Sequence, residues 1–559
     1  MNENSDIPKR SAEHEEREVP VLIVGGGLAG LSTAFFLSWH GVKPLLVEKH
    51  SDLLIHPRAR GFTPRTVELF RQAGLEPAIR AAFYAEGDDF RWVAARADTL
   101  VSDHALVEEP PEEADWHQLS PAPFAPIDQD KLEITLRARA EELGPEMRFS
   151  TEMVSFRDDG DGVSAVLRDR RSGSESTVRA QYLVAADGWE SPIRERLGIV
   201  MEGPGPFFND VTALIDADLR PALRERRVSI AYVQRPRPGT MLMAHNDTGD
   251  RWVFGTRYSP EFGESLAEYT DPRIVELVRE AAGLPDVRVT LRPQIPGTDL
   301  KVLGFPIGAQ VARDYQRGRV FLVGDAAHIV SPTGGLGANT GIQDAHNLAW
   351  KLAAVLRGEA DSTLLGSYHA ERQPIGLFTM GQALARWNSR VGEGTDSAGP
   401  ALLDYGTVAF GYRYCSAAEL DAPTEACPAY AAAELRAQPG TRAPHLWLER
   451  DSERISTLDL FGRGYVLLTG MDGAPWIRAA RDLPGAGLTV YRIGSDGDLG
   501  DPDGLWGPGY GVTGSGAVLV RPDGFVAWRS VGVDPDPARR LASVCAQLAA
   551  PMLVAAAPG

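Results

Sequence analysis

The chain has 559 residues, 43% of them hydrophobic, with a formal net charge of −19 and three cysteines. Such a length can bury large cores in roughly two to four domains, and the acidic balance, with no local run of Lys or Arg, excludes nucleic acid and an anionic membrane surface as expected partners. Cys415, Cys427 and Cys545 fall in no CxxC or Cys/His spacing, which excludes a disulfide framework, leaves no metal site to expect and suits a reducing cytoplasm.

Residues 1–18 are charged and lack an apolar h-region, so they read as a disordered tail; no stretch is long and apolar enough to span a membrane. The first element is VLIVGGGLAGLSTAFF. Residues Val19 to Val24 read as a strand and Leu28 to Trp39 as a buried helix, placing the glycines on a strand-to-helix turn. In the GxGxxG pattern Gly25 permits the turn, Gly27 lets a pyrophosphate approach the backbone and Gly30 lets the helix pack on the strand. A second strand, KPLLVEKH, ends in Glu48 and Lys49, where a carboxylate suits a ribose diol. This segment alone does not choose between FAD and NAD. HPRARGFTPRTVELF then sets Arg58 and Arg60 in a loop before a helix starting near Thr63, and guanidinium forks suit phosphates.

Further along, QYLVAADGWESPIRERLG gives an apolar strand before Asp187-Gly188, with Ser191 and Arg194 opening a helix. RVSIAYVQ, TMLMAHN and RWVFGTRYS alternate with period two and read as antiparallel strands. Val228, Ile230 and Tyr232 share one face of their strand, as do Trp252, Phe254, Thr256 and Tyr258 of theirs. Trp252 and Phe254 are the candidate floor for a flat substrate, although such a stripe is more often core packed on helices. GRVFLVGDAAHIVSPTGGLGANTGIQDAHNLAWKLAAVL repeats the strand-to-helix theme. Its strand ends in Gly324-Asp325, and a glycine-rich turn containing Gly335, Gly337, Ala338 and Asn339 leads into a long helix over 339–356. Residues 440–550 give strand, helix, strand, a hairpin on Pro522-Asp523-Gly524, and a last helix, an order that resembles a thioredoxin-like fold without its CxxC.

A GxGxxG turn, then a DG element, then a GD element, in that order, resembles the single-component flavoprotein aromatic hydroxylases of the p-hydroxybenzoate hydroxylase type. HPRARGFTPRTVELF, DQDKLE, GGLGANTGIQDAHNLAWKL and the added C-terminal unit are similar to the branch that oxygenates polyketides and other fused-ring natural products. The resemblance covers residues 19 to about 540. It implies an α/β protein. Its parts would be a Rossmann-like, glutathione reductase-like FAD-binding domain (19–84, 118–200 and 301–395), an α+β substrate domain with an antiparallel sheet (85–117 and 201–300) and a thioredoxin-like domain (400–559). It implies that Gly25, Gly27, Gly30, Glu48 and Lys49 hold the ADP half of FAD, that Arg58 reaches the flavin and that Gln129 contacts the cofactor. Asp187 would belong to a dual FAD/NAD(P)H motif. Gly324 and Asp325 would bind the ribityl chain, and the Gly335, Gly337, Ala338, Asn339 turn would offer backbone donors to the flavin ring.

The implied activity is an NAD(P)H-using monooxygenase. Hydride passes to FAD from a transient NADPH or NADH, O2 adds at flavin C4a, and the hydroperoxide oxygenates an aromatic carbon in secondary metabolism. Pro332 is a candidate wall residue excluding water. Tyr232 and Arg372, the latter in YHAERQP, are candidates for activating a phenol or stabilising its anion. The alternatives are Baeyer-Villiger oxygenation on the same site, an FAD-dependent reductase or dehydrogenase, and a flavin-bound sequestering protein. A cytoplasmic monomer or homodimer is expected.

Overall fold

The computed structural model describes residues 17–54, 58–83, 93–103, 105–108, 116–226, 228–245, 249–391, 400–416, 429–483 and 488–549. Cys427, most of the expected tail and part of the 85–117 segment lie outside the described residues. The first strand begins at Arg17, so residues 17 and 18 are sheet rather than tail.

Two large sheets and a smaller one organise the chain. In the first, five strands run parallel in the spatial order Val320–Leu322, Glu175–Ala185, Arg17–Val24, Leu45–Val47, Glu146–Arg148. Register aligns their carboxyl ends: Val24 pairs with Ala185 and with Val47, and Ala185 pairs with Leu322. The residues that follow these ends are Gly25, Glu48, Asp187 and Gly324, so motifs far apart in sequence meet on one edge. The helix Leu28–Trp39 is apolar nearly all round, and it is correspondingly buried between this sheet and the helix Leu336–Leu356. That second helix starts three residues before the expected 339, on Gly335 in the left-handed conformation (φ 65°).

The second sheet has nine strands. Met201–Asp216 lies between Val302–Ala312 and Arg251–Tyr258, followed outward by Thr240–Ala244 and Ile230–Val233. Val302–Ala312 therefore belongs with the substrate-side sheet and not with the 301–395 segment to which the sequence reading gave it. One face packs on the helix Asp271–Ala282: Trp252, Phe254, Ala231, Val233 and Leu242 form a core with Ile274, Leu277 and Val278. Because side chains alternate along a strand, Ile230, Tyr232, Met243 and Val253 lie on the other face.

In the C-terminal unit Val466–Thr469 pairs parallel with Thr489–Arg492 and antiparallel with Ala517–Val520, which forms a hairpin with Val526–Ser530. The helices Ala474–Arg481 and Pro537–Ala549 cover one face through Trp476, Leu541 and Val544. Among the described residues no helix is long and apolar enough to cross a membrane.

Candidate active site

A single cavity of about 1750 Å³ runs from the glycine turn to the second sheet. One wall is the aligned strand ends with Gly25, Gly27, Glu48, Lys49, Asp187, Gly324 and Asp325; Arg58 and Gln129 open onto it as well. The other wall is the free sheet face, with Tyr232, Ile230, Met241, Met243 and Val253. Pro332, Gly335, Gly337, Ala338 and Asn339 lie along it between the two.

The glycines divide by cause. A Cβ on Gly25 would sit 2.1 Å from the Ala186 carbonyl oxygen, and one on Gly30 1.9 Å from the Gly25 carbonyl oxygen, so the protein's own backbone excludes side chains there. At Gly27 the nearest atom within 4 Å is Arg58 Nη1 at 3.9 Å. Nothing in the protein requires Gly27 to lack a side chain, and its Cβ would project into the cavity. That is the cradle a dinucleotide phosphate needs, and the residues around it fit FAD.

Glu48 is fixed before any ligand arrives: Gly26 N–H donates to Oε2 at 2.6 Å and His50 N–H to Oε1 at 2.8 Å, with the His50 ring Nδ1 2.6 Å from Oε1. Burial pushes this carboxyl up, but those hydrogen bonds outweigh it and hold it below the usual range. At Asp187 burial wins and the pKa is raised, although Ser191 Oγ donates to it at 2.6 Å and Ile193 N–H at 3.2 Å. Arg194 ties this turn to the next motif by donating to the Ala326 carbonyl at 3.0 Å.

Arg58 and Gln129 share a partner that the sequence reading overlooked. Arg58 Nη2 donates to Glu133 Oε1 at 2.8 Å and Gln129 Nε2 to the same oxygen at 2.7 Å, while Gln129 Oε1 accepts from Ala59 N–H at 3.1 Å. Burial raises the Glu133 pKa above the usual range. Its position four residues after Gln129, on one face of the helix Gln129–Leu143, was a readable signal. Asn339 is clamped in turn: its Oδ1 accepts from Thr63 N–H at 2.9 Å and Thr66 Oγ1 at 2.7 Å, and its Nδ2 donates to the Gly335 carbonyl at 2.8 Å. This locks the glycine loop to the helix that follows Arg58 and Arg60.

Three expectations are corrected. Trp252 and Phe254 are fully buried in the helix-facing core, because the register turns Val253 and not its neighbours toward the cavity. Arg372 is also fully buried and does not line the cavity. It donates through Nε to Asp344 Oδ1 at 2.7 Å and through Nη1 to Tyr414 at 3.1 Å, so its ion-pair partner is Asp344. Asp344 in turn contacts His328 Nε2 at 2.7 Å and accepts from Gly324 N–H at 3.2 Å, so Arg372 buttresses the turn before Asp325. Tyr232, Pro332 and the glycine-turn residues are brought to the cavity together.

The chain matches two family models: an FAD binding domain over residues 18–382 and an aromatic-ring hydroxylase C-terminal domain over residues 436–551. It is 43% identical to tetracenomycin A2 monooxygenase-dioxygenase of Streptomyces glaucescens, over 95% of this chain and 97% of that one. It is 41% identical to 4-methyl-5-nitrocatechol 5-monooxygenase of a Burkholderia species, over 93% and 95%. A crystal structure of aklavinone-11 hydroxylase with FAD and aklavinone superposes with a TM-score of 0.87 at 36% identity, covering 96% of this chain and 99% of that one.

Proposed function

Because the chain belongs to the FAD-dependent aromatic-ring hydroxylases, we propose that it is the monooxygenase of a polycyclic, polyketide-like phenol, acting in the biosynthesis of a natural product. FAD, when bound, supplies hydride acceptance from NAD(P)H and the activation of O2 for transfer to an aromatic carbon. The observation that carries the substrate class is the continuity of the cavity: the strand-end wall that fits FAD and an apolar sheet wall face one space of about 1750 Å³. A relative named for a nitrocatechol shows that family membership does not by itself fix ring number; the apolar floor of Ile230, Met241, Met243 and Val253 favours the larger class.

In this reading Gly27 and the N-terminus of Leu28–Trp39 receive the pyrophosphate, Glu48 and Lys49 lie at the ribose, and Asp325 takes ribityl hydroxyls. Arg58 and Gln129, braced by Glu133, face the cofactor, and Asp187 belongs to the FAD/NAD(P)H turn. The first-turn N–H groups of Leu336–Leu356, those of Gly337 and Ala338 among them, stabilise negative charge at the edge of the ring system, while Gly335, whose N–H donates to the Pro332 carbonyl at 3.1 Å, and Asn339 hold the turn. Pro332 walls off water and Tyr232 meets a substrate hydroxyl. The parallel sheet with its glycine turn suits a Rossmann-like, glutathione reductase-like domain. The C-terminal strand order suits a thioredoxin-like unit whose role is stability, and a cytoplasmic monomer or homodimer accords with the composition.

Purified protein carrying FAD is expected to oxidise NADPH with stoichiometric O2 uptake when given fused-ring phenols. NADPH oxidation without O2 incorporation would make it a reductase, ring expansion of a ketone a Baeyer-Villiger enzyme, and binding without NADPH consumption a sequestering protein.

A further inference from the structure

The cavity floor carries an ionisable group to which nothing above gives a role. Asp210 lies on Met201–Asp216, on the cavity-facing side with Thr212, and lines the cavity. Its Oδ2 hangs over Gly255 of the next strand: a Cβ built there would be 3.5 Å from it and 3.1 Å from Met241 Cε. The absent side chain at Gly255 thus lets the carboxylate lie against a flat surface. Across that floor Tyr232 ends the row Thr212, Gly255, Met241, Tyr232, three strand spacings or about 14 Å from Thr212.

We propose that Asp210 accepts the proton of a hydroxyl on the fused-ring substrate, a role that rests on the reading given above. The substrate O–H bond breaks, the proton passes to a carboxylate oxygen, and the electron pair stays on the phenolate, which enriches the ring carbons ortho and para to it; the proton returns when product leaves, so no electrons are exchanged.

The surroundings suit this role. Among the described residues Asp210 forms no ion pair and accepts no hydrogen bond from the protein. The groups facing it from the adjoining strands are Arg257, its register partner on Arg251–Tyr258, and Phe305 on Val302–Ala312. The Arg257 guanidinium acts on it without pairing, since it is stacked 4.2 Å from the Phe208 ring centre and 5.4 Å from that of Trp387. Burial pushes the Asp210 carboxyl up to about 7, with Arg257 opposing, which places a base near working pH. The carboxylate accepts a proton only when ionised, so its capacity rises as pH climbs through that value.

The test uses FAD-loaded full-length protein with quinizarin and a hydroxynaphthacenequinone, which change colour when a hydroxyl ionises. Wild type is expected to bind them with an ionised fraction that rises through pH about 7. Asp210→Asn should bind them with that inflection gone and lose about a hundredfold in kcat/KM for NADPH-dependent oxygenation, while Asp210→Glu restores an inflection. Equal FAD absorbance and Tm show that Asp210→Asn is folded. An unchanged pH profile and rate in Asp210→Asn would overturn the role of Asp210. Failure of the wild type to bind either quinone would instead overturn the fused-ring reading beneath it.

Discussion

Arg521, in the turn of the C-terminal hairpin, donates to both oxygens of Glu371 on the helix Gly366–Val391, through Nη1 at 2.9 Å and Nη2 at 2.8 Å, with both side chains fully buried. Glu371 also accepts from Lys351 Nζ at 2.7 Å and Asn347 Nδ2 at 2.7 Å, both on the helix whose N-terminus faces the cavity. Burial alone would raise the Glu371 pKa, and Arg521 and Lys351 together hold it far below the usual range. Arg521 also pairs with buried Asp523 at 2.6 Å, and Lys351 would stay on Glu371, so removing Arg521 strands the Asp523 charge. Arg521→Met should therefore cost about 3 kcal/mol or more, read as a lowered Tm of the FAD-loaded protein. An unchanged Tm would mean that the C-terminal unit docks without this contact.

The elements of both large units were legible for two reasons: Leu28–Trp39 is an unbroken run of small and apolar residues after a glycine turn, and the three strands bearing Tyr232, Met241 and Phe254 alternate with period two, so all fall where the sequence places them. What the sequence could not tell was which side of the sheet faces the cofactor. Alternation puts Trp252 and Phe254 together on one face, but whether a helix or a cavity lies over it is settled by packing with Asp271–Ala282, some twenty residues away in the chain. Arg372 failed for a related reason: a charged residue in a recognisable stretch reads as functional, yet its partner Asp344 is fixed only when two helices meet. Within DQDKLE the sequence points to Gln129, whereas Glu133, one helical turn on, shows its role only when Arg58 is brought against it.

The contrast between Gly27 and Gly25 separates ligand from scaffold. Gly27→Val should fold with near-normal Tm in the absence of FAD, since its side chain meets only the far end of Arg58, but it should be purified colourless or with greatly weakened FAD affinity. Gly25→Ala should instead destabilise the apoprotein, because φ is +110° and the Ala186 carbonyl blocks the Cβ. Equal flavin content in wild type and Gly27→Val would remove the phosphate from this turn.

Gly337 tests the other end of the cofactor. A Cβ there would lie 3.6 Å from Val330 Cβ, an ordinary contact, so Gly337→Leu should fold and still crowd the cavity. The expected result is lost flavin or slower reduction by NADPH in stopped-flow absorbance, with unchanged apoprotein Tm.

The two faces of the second sheet should respond oppositely. Val253→Phe adds bulk to the cavity floor and should lower kcat/KM for fused-ring phenols by an order of magnitude or more while changing stability little. Trp252→Ala, deep in the helix-facing core, should cost about 3 to 5 kcal/mol and leave substrate preference intact in whatever protein folds. If substrate preference followed Trp252 and not Val253, the assignment of faces would be wrong.

His346, edge-on to the Phe36 ring at 4.8 Å, is buried and neutral, its pKa lowered to about 3 by burial and by the Arg65 and Arg372 charges. The unfolded chain binds a proton at this residue below its ordinary value near 6.5 while the folded chain does not. Its contribution to stability is therefore fully present above that value and is lost progressively as pH falls toward about 3. The slope is about 1.4 kcal/mol per pH unit for one such group. Denaturant unfolding between pH 7 and pH 5 should show stability falling in the wild type, and His346→Gln should flatten that fall by this amount while lowering stability at pH 7 through lost packing. A parallel pH dependence in both proteins would mean that His346 gains its proton without unfolding.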